Sequence, residues 1–124
     1  MYGIFDPIGL KFLTRLRLNL SHLREHKFRH NFQDTLNPLC SCKNLETETT
    51  GHYLLRCDFY TNIRTTLLEN LVEIVGNIDN FSDDQLIFLL LYGNDNYNRE
   101  KNNSILKNTI QYLKESERFN DPLF

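Results

Sequence analysis

The chain has no tryptophan, one methionine, three cysteines and no long apolar run. Each shortage closes off a class of protein. A membrane span asks for about 18 or more consecutive apolar residues, whereas Leu86 to Tyr92 is a run of seven. The amino-terminal MYGIFDPIGL lacks both the basic start and the uninterrupted apolar core of a secretory signal. Three cysteines leave an odd thiol in any disulfide scheme, so the reducing interior of a cell, cytoplasmic or nuclear, is the expected setting. The Asn-x-Ser sites at Asn19, Asn80 and Asn102 should then go unused. There is no phosphate-cradling glycine loop, no nucleophile elbow and no carboxylate pair in an apolar setting; Asp83 and Asp84 follow Ser82, where a helix start accounts for them. The expectation is a protein that is not an enzyme, takes no small-molecule substrate and does not enter the membrane.

What is present suits one globular domain. A chain of 124 residues is near the modal domain size and can bury roughly two-thirds of its unfolded surface. Nine phenylalanines and six tyrosines supply core volume. The formal net charge of -2 excludes a uniformly basic coat, but the charge is unevenly spread. Residues 1–64 hold nine Lys/Arg against six Asp/Glu, net +3, and residues 65–124 hold five against ten, net -5. Within residues 11–30, Lys11, Arg15, Arg17, Arg24, Lys27 and Arg29 stand against Glu25 alone. That basic segment is the electrostatic feature to follow.

Apolar periodicity gives a mainly α fold of four to six helices around one core. Residues 1–10 read as a lead-in loop. Phe12, Leu13, Leu16, Leu20, Leu23 and Phe28 mostly follow helical spacing, with a break near Ser21, which can cap a second helix through Arg24 and Glu25. A short strand over Leu16–Leu20 competes, because arginine and leucine alternate there. Asn37-Pro38 ends the helical pattern and opens a polar loop through Gly51. From His52 to Val75 the pattern is helical again and Gly76 caps it. Ser82-Asp83-Asp84-Gln85 has the form of a capping box before a short, largely buried helix that stops at Gly93. Ile105, Leu106, Thr109, Ile110 and Leu113 mark a final helix. The divisions are a basic helical segment (1–36), a metal-pinned loop (37–60) and a helical tail (61–124) on the same core.

All three cysteines fall within eighteen residues, as Cys40-Ser-Cys42 and then His52-Tyr-Leu-Leu-Arg-Cys57. Zinc is usually held by four Cys or His ligands in a tetrahedron, and this loop is too polar to be ordered by packing. Cys40, Cys42, His52 and Cys57 are therefore the expected ligands of one Zn2+, a zinc knuckle. Four protein ligands leave no open coordination position, so the metal should be structural. Lys43, Arg56 and Arg64 lie near enough in sequence to help hold the thiolates deprotonated. A Cys57 nucleophile served by His52 is the enzyme alternative, and it leaves Cys40 and Cys42 unexplained.

His22, His26 and His30 recur every four residues, which aligns them on one helical face beside the arginines. No carboxylate or cysteine joins them as a second metal site, and a basic face toward nucleic acid competes with a plain solvated one. Phe12, Phe28, Phe32, Tyr53 and Tyr60 can stack on bases, against the commoner use of such residues as core.

The run Leu13-Thr-Arg-Leu-Arg-Leu-Asn-Leu-Ser-His-Leu-Arg-Glu-His-Lys-Phe-Arg-His30, then Asn37-Pro-Leu-Cys-Ser-Cys42, Glu48-Thr49 before His52-Tyr-Leu-Leu-Arg-Cys57, and Tyr60 with Arg64, resembles the carboxy-terminal zinc-knuckle region of non-LTR retrotransposon reverse transcriptases. Leu89-Leu-Leu-Tyr-Gly93 and Ser116-Glu-Arg-Phe119 extend the likeness over nearly the whole chain. The resemblance implies the same four metal ligands, and a grip on template RNA or target DNA in which Arg15, Arg17, Arg24, Lys27 and Arg29 match the family's basic segment. Lys43 and Asp58 stand where family members commonly have Gly and Pro. The polymerase palm and endonuclease of an active element do not fit here, so the chain looks like a detached tail, either a decayed fragment or a small derived protein. The rival is a structural or interaction tail that docks on a polymerase domain.

Overall fold

A computed structural model describes residues 6–18, 21, 23–29, 37–42 and 46–119. Among these residues the fold is helical, with α1 (Pro7–Arg17), α2 (Arg24–Arg29), α3 (Thr61–Val75), α4 (Asp83–Tyr92) and α5 (Arg99–Glu115). A π turn (His52–Arg56) and a 3-10 turn (Asp58–Tyr60) lead into α3. No strand occurs among them; the β contact is an isolated antiparallel bridge between Leu39 and Thr47.

Local chemistry accounts for the helix ends. Asp6 accepts a hydrogen bond from the Gly9 N–H at 3.0 Å, with Pro7 pre-set for the first helical position. The expected lead-in loop is thus already helix from residue 7. The backbone stays helical through Arg17, so the strand alternative fails over the described part of that stretch. Ser82 and Gln85 form the expected capping box, and α3 and α4 both stop at glycines with positive φ, Gly76 (+88°) and Gly93 (+72°). The chain does break near Ser21, but the cap of α2 comes from elsewhere. The Arg24 N–H donates to Glu48 Oε1 at 2.6 Å, while Ser21 Oγ accepts from Leu23 N–H and meets His26 Nδ1 at 2.7 Å.

α5 is the central helix, packed against α1, α3 and α4. One buried cluster draws on all three divisions of the chain: Leu13, Leu16 and Leu23, then Tyr53 and Leu54, then the leucines and isoleucines of α3 to α5. Each such side chain contributes about 1.5–3 kcal/mol on burial. Polar groups on α5 add links to neighbouring backbone. Thr109 Oγ1 donates to the Leu90 carbonyl at 2.7 Å, Asn108 Nδ2 to Leu67 at 2.8 Å and the Tyr112 hydroxyl to Tyr53 at 2.6 Å. Gly9 lets α1 approach closely, since a Cβ there would lie 2.4 Å from Ile110 Cγ2. Asn102 is buried, and its amide bonds Asn94 N–H, Asn94 O and Tyr97 O, so its Asn-x-Ser site is consumed in holding the loop after Gly93. No helix among the described residues is long and apolar enough to cross a membrane.

Candidate metal centre

The bridge between Leu39 and Thr47 is closed by Cys40 N–H to Glu46 O at 2.7 Å and Glu48 N–H to Pro38 O at 2.8 Å. It holds Cys40 and Cys42 at one end of a short antiparallel pair. His52 and Cys57 come from the π turn, in which the Cys57 N–H reaches back five residues to the His52 carbonyl at 2.8 Å. In an α-helix, at 3.6 residues per turn, a residue five positions on lies about 140° around the axis. The wider turn returns it to the same side. Thr49 Oγ1 accepts from the His52 N–H, and Arg64, buried, donates to the carbonyls of Leu54 and Cys57 that the break at Cys57 releases.

The result is a buried cluster. One ligand atom from each of Cys40, Cys42, His52 and Cys57 lies within 4.8 Å of every other, and all four residues are buried. Cys40 Sγ is 3.8 Å from Cys57 Sγ, and Cys42 Sγ is 3.4 Å from His52 Nε2. A tetrahedral zinc with bonds of about 2.3 Å to sulfur and about 2.0 Å to nitrogen has S···S edges of about 3.8 Å and S···N edges of about 3.5 Å. These two separations match the edges of such a tetrahedron, and the donor set is one that can hold a metal ion. Burial pushes the Cys40 thiol up to about 12 and raises Cys57 as well. A divalent cation would reverse that order by binding the thiolates.

No family model, curated protein or solved structure matches the chain.

Two carboxylates surround the cluster. Glu46 Oε2 lies 3.0 Å from His52 Nδ1, which puts the proton on Nδ1 and leaves Nε2 to face the sulfurs. That hydrogen bond, with Arg56 beside it, holds the Glu46 carboxyl below its usual range. Glu48 is buried and does three things: it caps α2, pairs with Arg118 (Nη2 to Oε1 2.6 Å, Nε to Oε2 3.0 Å) and lies 4.0 Å from Cys40 Sγ. Sequence reasoning named none of these roles. Glu48 is twenty-four residues from the helix it caps and seventy from Arg118, and no local pattern reports such pairings.

The cations expected near the thiolates are otherwise engaged. Arg56 bridges Glu46 and Asp83, Arg64 serves the backbone, and Lys43 lies outside the described residues. The basic segment is divided among several places. Arg17 donates to the Leu91 carbonyl at 2.6 Å with its guanidinium 4.7 Å from the Tyr92 ring centre, and Arg29 pairs with Glu25. Arg24 and Lys27 line a cleft of about 350 Å³ beside the cysteines, with Ser41, Phe59, Tyr60 and Arg118. Arg15 is half-buried on α1.

His26 corrects the reading of its face as solvated. It is 2% exposed, held by Ser21 and, at 3.4 Å, by Thr50 Oγ1, and so ties α2 to the segment between the paired cysteines and His52. His22 and His30 lie outside the described residues. Among the described residues, the four-ligand cluster is the only group arranged to hold a metal. Of the aromatic candidates for stacking, Tyr53 is core, Phe12 packs on Phe119, Tyr60 is half-buried and Phe28 is exposed; Phe32 is outside the described residues.

Proposed function

We propose that Cys40, Cys42, His52 and Cys57 hold one structural Zn2+, and that the chain is a zinc-stabilised nucleic-acid-binding module with no catalytic activity of its own. In this reading it is a module of the kind found at the carboxy terminus of non-LTR retrotransposon reverse transcriptases, which its sequence resembles. The observation that carries the reading is the convergence of four buried ligand atoms within 4.8 Å. Three sulfurs and one imidazole favour zinc over harder cations, and four protein ligands leave no position for a reacting water.

Support for the nucleic-acid part is the cleft beside the cysteines. Arg24, Lys27 and Arg118 against Glu48 give its lining side chains a net charge of +2, and Phe59, 58% exposed, stands at its edge. Cations for phosphates next to an aromatic face for a base is the arrangement single strands take. A second reading, a structural or protein-interaction tail, is favoured by the engagement of Arg17 and Arg29 within the chain.

Salt titration of single-stranded RNA binding separates the two. Each neutralised phosphate in a single strand contributes about -0.7 to the slope of log K against log salt, so Arg24 and Lys27, matching the cleft's net +2, give about -1.4. Arg24→Ala with Lys27→Ala should flatten that slope by about 1.4. Absence of binding at low salt, or an unchanged slope in the variant, favours the interaction tail. Elemental analysis of reduced protein should find one zinc per chain, and finding none rejects the metal assignment.

A further inference from the structure

α4 has an uncovered side. Its sequence, DDQLIFLLLY, is apolar around the whole circumference from Leu86 onward, a composition that calls for burial on every face. Only Leu89, Leu90 and Leu91 are buried. Phe88 is 61% exposed and Tyr92 39% exposed, with their ring centres 4.8 Å apart. The expectation of a largely buried helix therefore fails on this face.

The face forms the floor of a groove of about 750 Å³, lined by Phe81, Phe88, Tyr92 and Tyr97 with Asp84 and Asp95 among them. Asp84, Phe88 and Tyr92 follow one another at four-residue steps, so they share one stripe of the helix. Asp95 projects from the loop that Asn102 pins with three hydrogen bonds, which keeps that wall in place. Asp83, one residue away, pairs with Arg56, and Asp6 pairs with Lys114, but neither Asp84 nor Asp95 enters an ion pair among the described residues. Two rings of the set already carry cations of the chain itself: Arg17 lies 4.7 Å from the Tyr92 centre and Lys101 4.6 Å from that of Tyr97.

We infer that this groove is a docking site for an arginine- or lysine-bearing peptide segment of another protein. Aromatic faces attract cations through their quadrupole, and the two carboxylates supply the complementary charge. The same carboxylates repel the phosphates of a nucleic acid, and they belong to the half of the chain with net charge -5. The inference does not rest on the metal centre.

The test uses the full chain and a blocked pentapeptide, Gly-Arg-Leu-Arg-Gly, against the same peptide with glutamine for both arginines. Aromatic NMR resonances of Phe88 and Tyr92 should shift with the arginine peptide, which should bind about tenfold more tightly than the glutamine one. Asp84→Asn with Asp95→Asn should remove that preference, and Phe88→Ser should abolish the shifts while circular dichroism is unchanged, since Phe88 is exposed. Equal binding of both peptides, or no shift at millimolar arginine peptide, overturns the proposal. Ring shifts that track protein concentration alone and vanish in Phe88→Ser also overturn it, in favour of a second copy as the occupant.

Discussion

Removing the proposed zinc should take apart the cysteine loop and α2 while leaving the other helices assembled. The described loop residues 38–42 and 46–48 bury only Cys40, Cys42 and Glu48, and Leu39 is 39% exposed. The two cysteines pack with Cys57 and Tyr60, and among the described residues Tyr60 alone joins this small group to the main cluster. Ordering these eight backbone positions costs on the order of 8–16 kcal/mol at about 1–2 kcal/mol each. Two bridge hydrogen bonds, the carboxylate cap on α2 and the Glu48–Arg118 pair offset about 5–8 kcal/mol of this. A structural zinc, with an apparent binding energy of about 10–16 kcal/mol, covers the remainder. α1, by contrast, is tied to α5 by the Gly9–Ile110 approach and by Lys114 on Asp6 at 2.6 Å, so the loss should stop short of the whole basic half. Circular dichroism of protein treated with chelator should therefore keep most of its helical signal, while a thiol reagent should find three reactive cysteines where it found none before. Cys42→Ser should reproduce that state and His26→Ala should keep its metal. Cooperative loss of the full helical signal, or thiols that react equally before and after chelation, would refute the reasoning.

Two further outcomes concern the carboxylates. Glu46→Ala should lower zinc affinity about 10- to 100-fold by releasing the His52 ring, with Glu46→Gln between it and the parent because an amide oxygen still accepts from Nδ1; competition against a chromophoric chelator measures this, and equal affinities for all three proteins would exclude the positioning role. Asp6 is held below its usual value of 3.8 by its hydrogen bond from Lys114 and by the Gly9 N–H. The folded chain thus binds that proton less readily than the unfolded one. The contact's stabilisation should be complete above about pH 5 and be lost as the pH falls through the lowered native value. Denaturant unfolding from pH 6 to 2 should show this acid dependence diminished in Asp6→Asn, and an unchanged profile would count against the contact.

What could be read from the sequence was what local chemistry decides. Ser82 with Gln85, Gly76 and Gly93 each marks a boundary through its own backbone preference, and the structure places boundaries there; from Asn37-Pro38 the described backbone is non-helical through Thr49, while residues 30–36 before it lie outside the described ones. The four-ligand cluster was equally legible, because few other uses put three cysteines and a histidine in so short a polar stretch. Asp6-Pro7 carried a helix-start signal that the two nearby glycines obscured. The break at Cys57 was hidden for a different reason. Apolar spacing runs on from Tyr53 and Leu54 into Ile63 and Leu67, and periodicity cannot distinguish a continuous helix from two turns that both face the core. Buried His26, Arg64 and Glu48 were unreadable because each is a polar residue satisfied by a partner that only the tertiary fold supplies.

The π turn also bears on which insertions and deletions the chain can tolerate. Metal sites accept several spacings between paired ligands, and a spacing shorter by one residue would let His52 and Cys57 meet across an ordinary α turn. Such a deletion would spare the coordination chemistry. It would also rotate the rest of the turn by about 100°, carrying Tyr53 or Leu54 away from the position in which both are fully buried and the Tyr53 carbonyl away from the Tyr112 hydroxyl. The length of the segment between His52 and Cys57 is thus set by the hydrophobic interior behind the four-residue cluster, and drift in that interior would be the event that frees it to change.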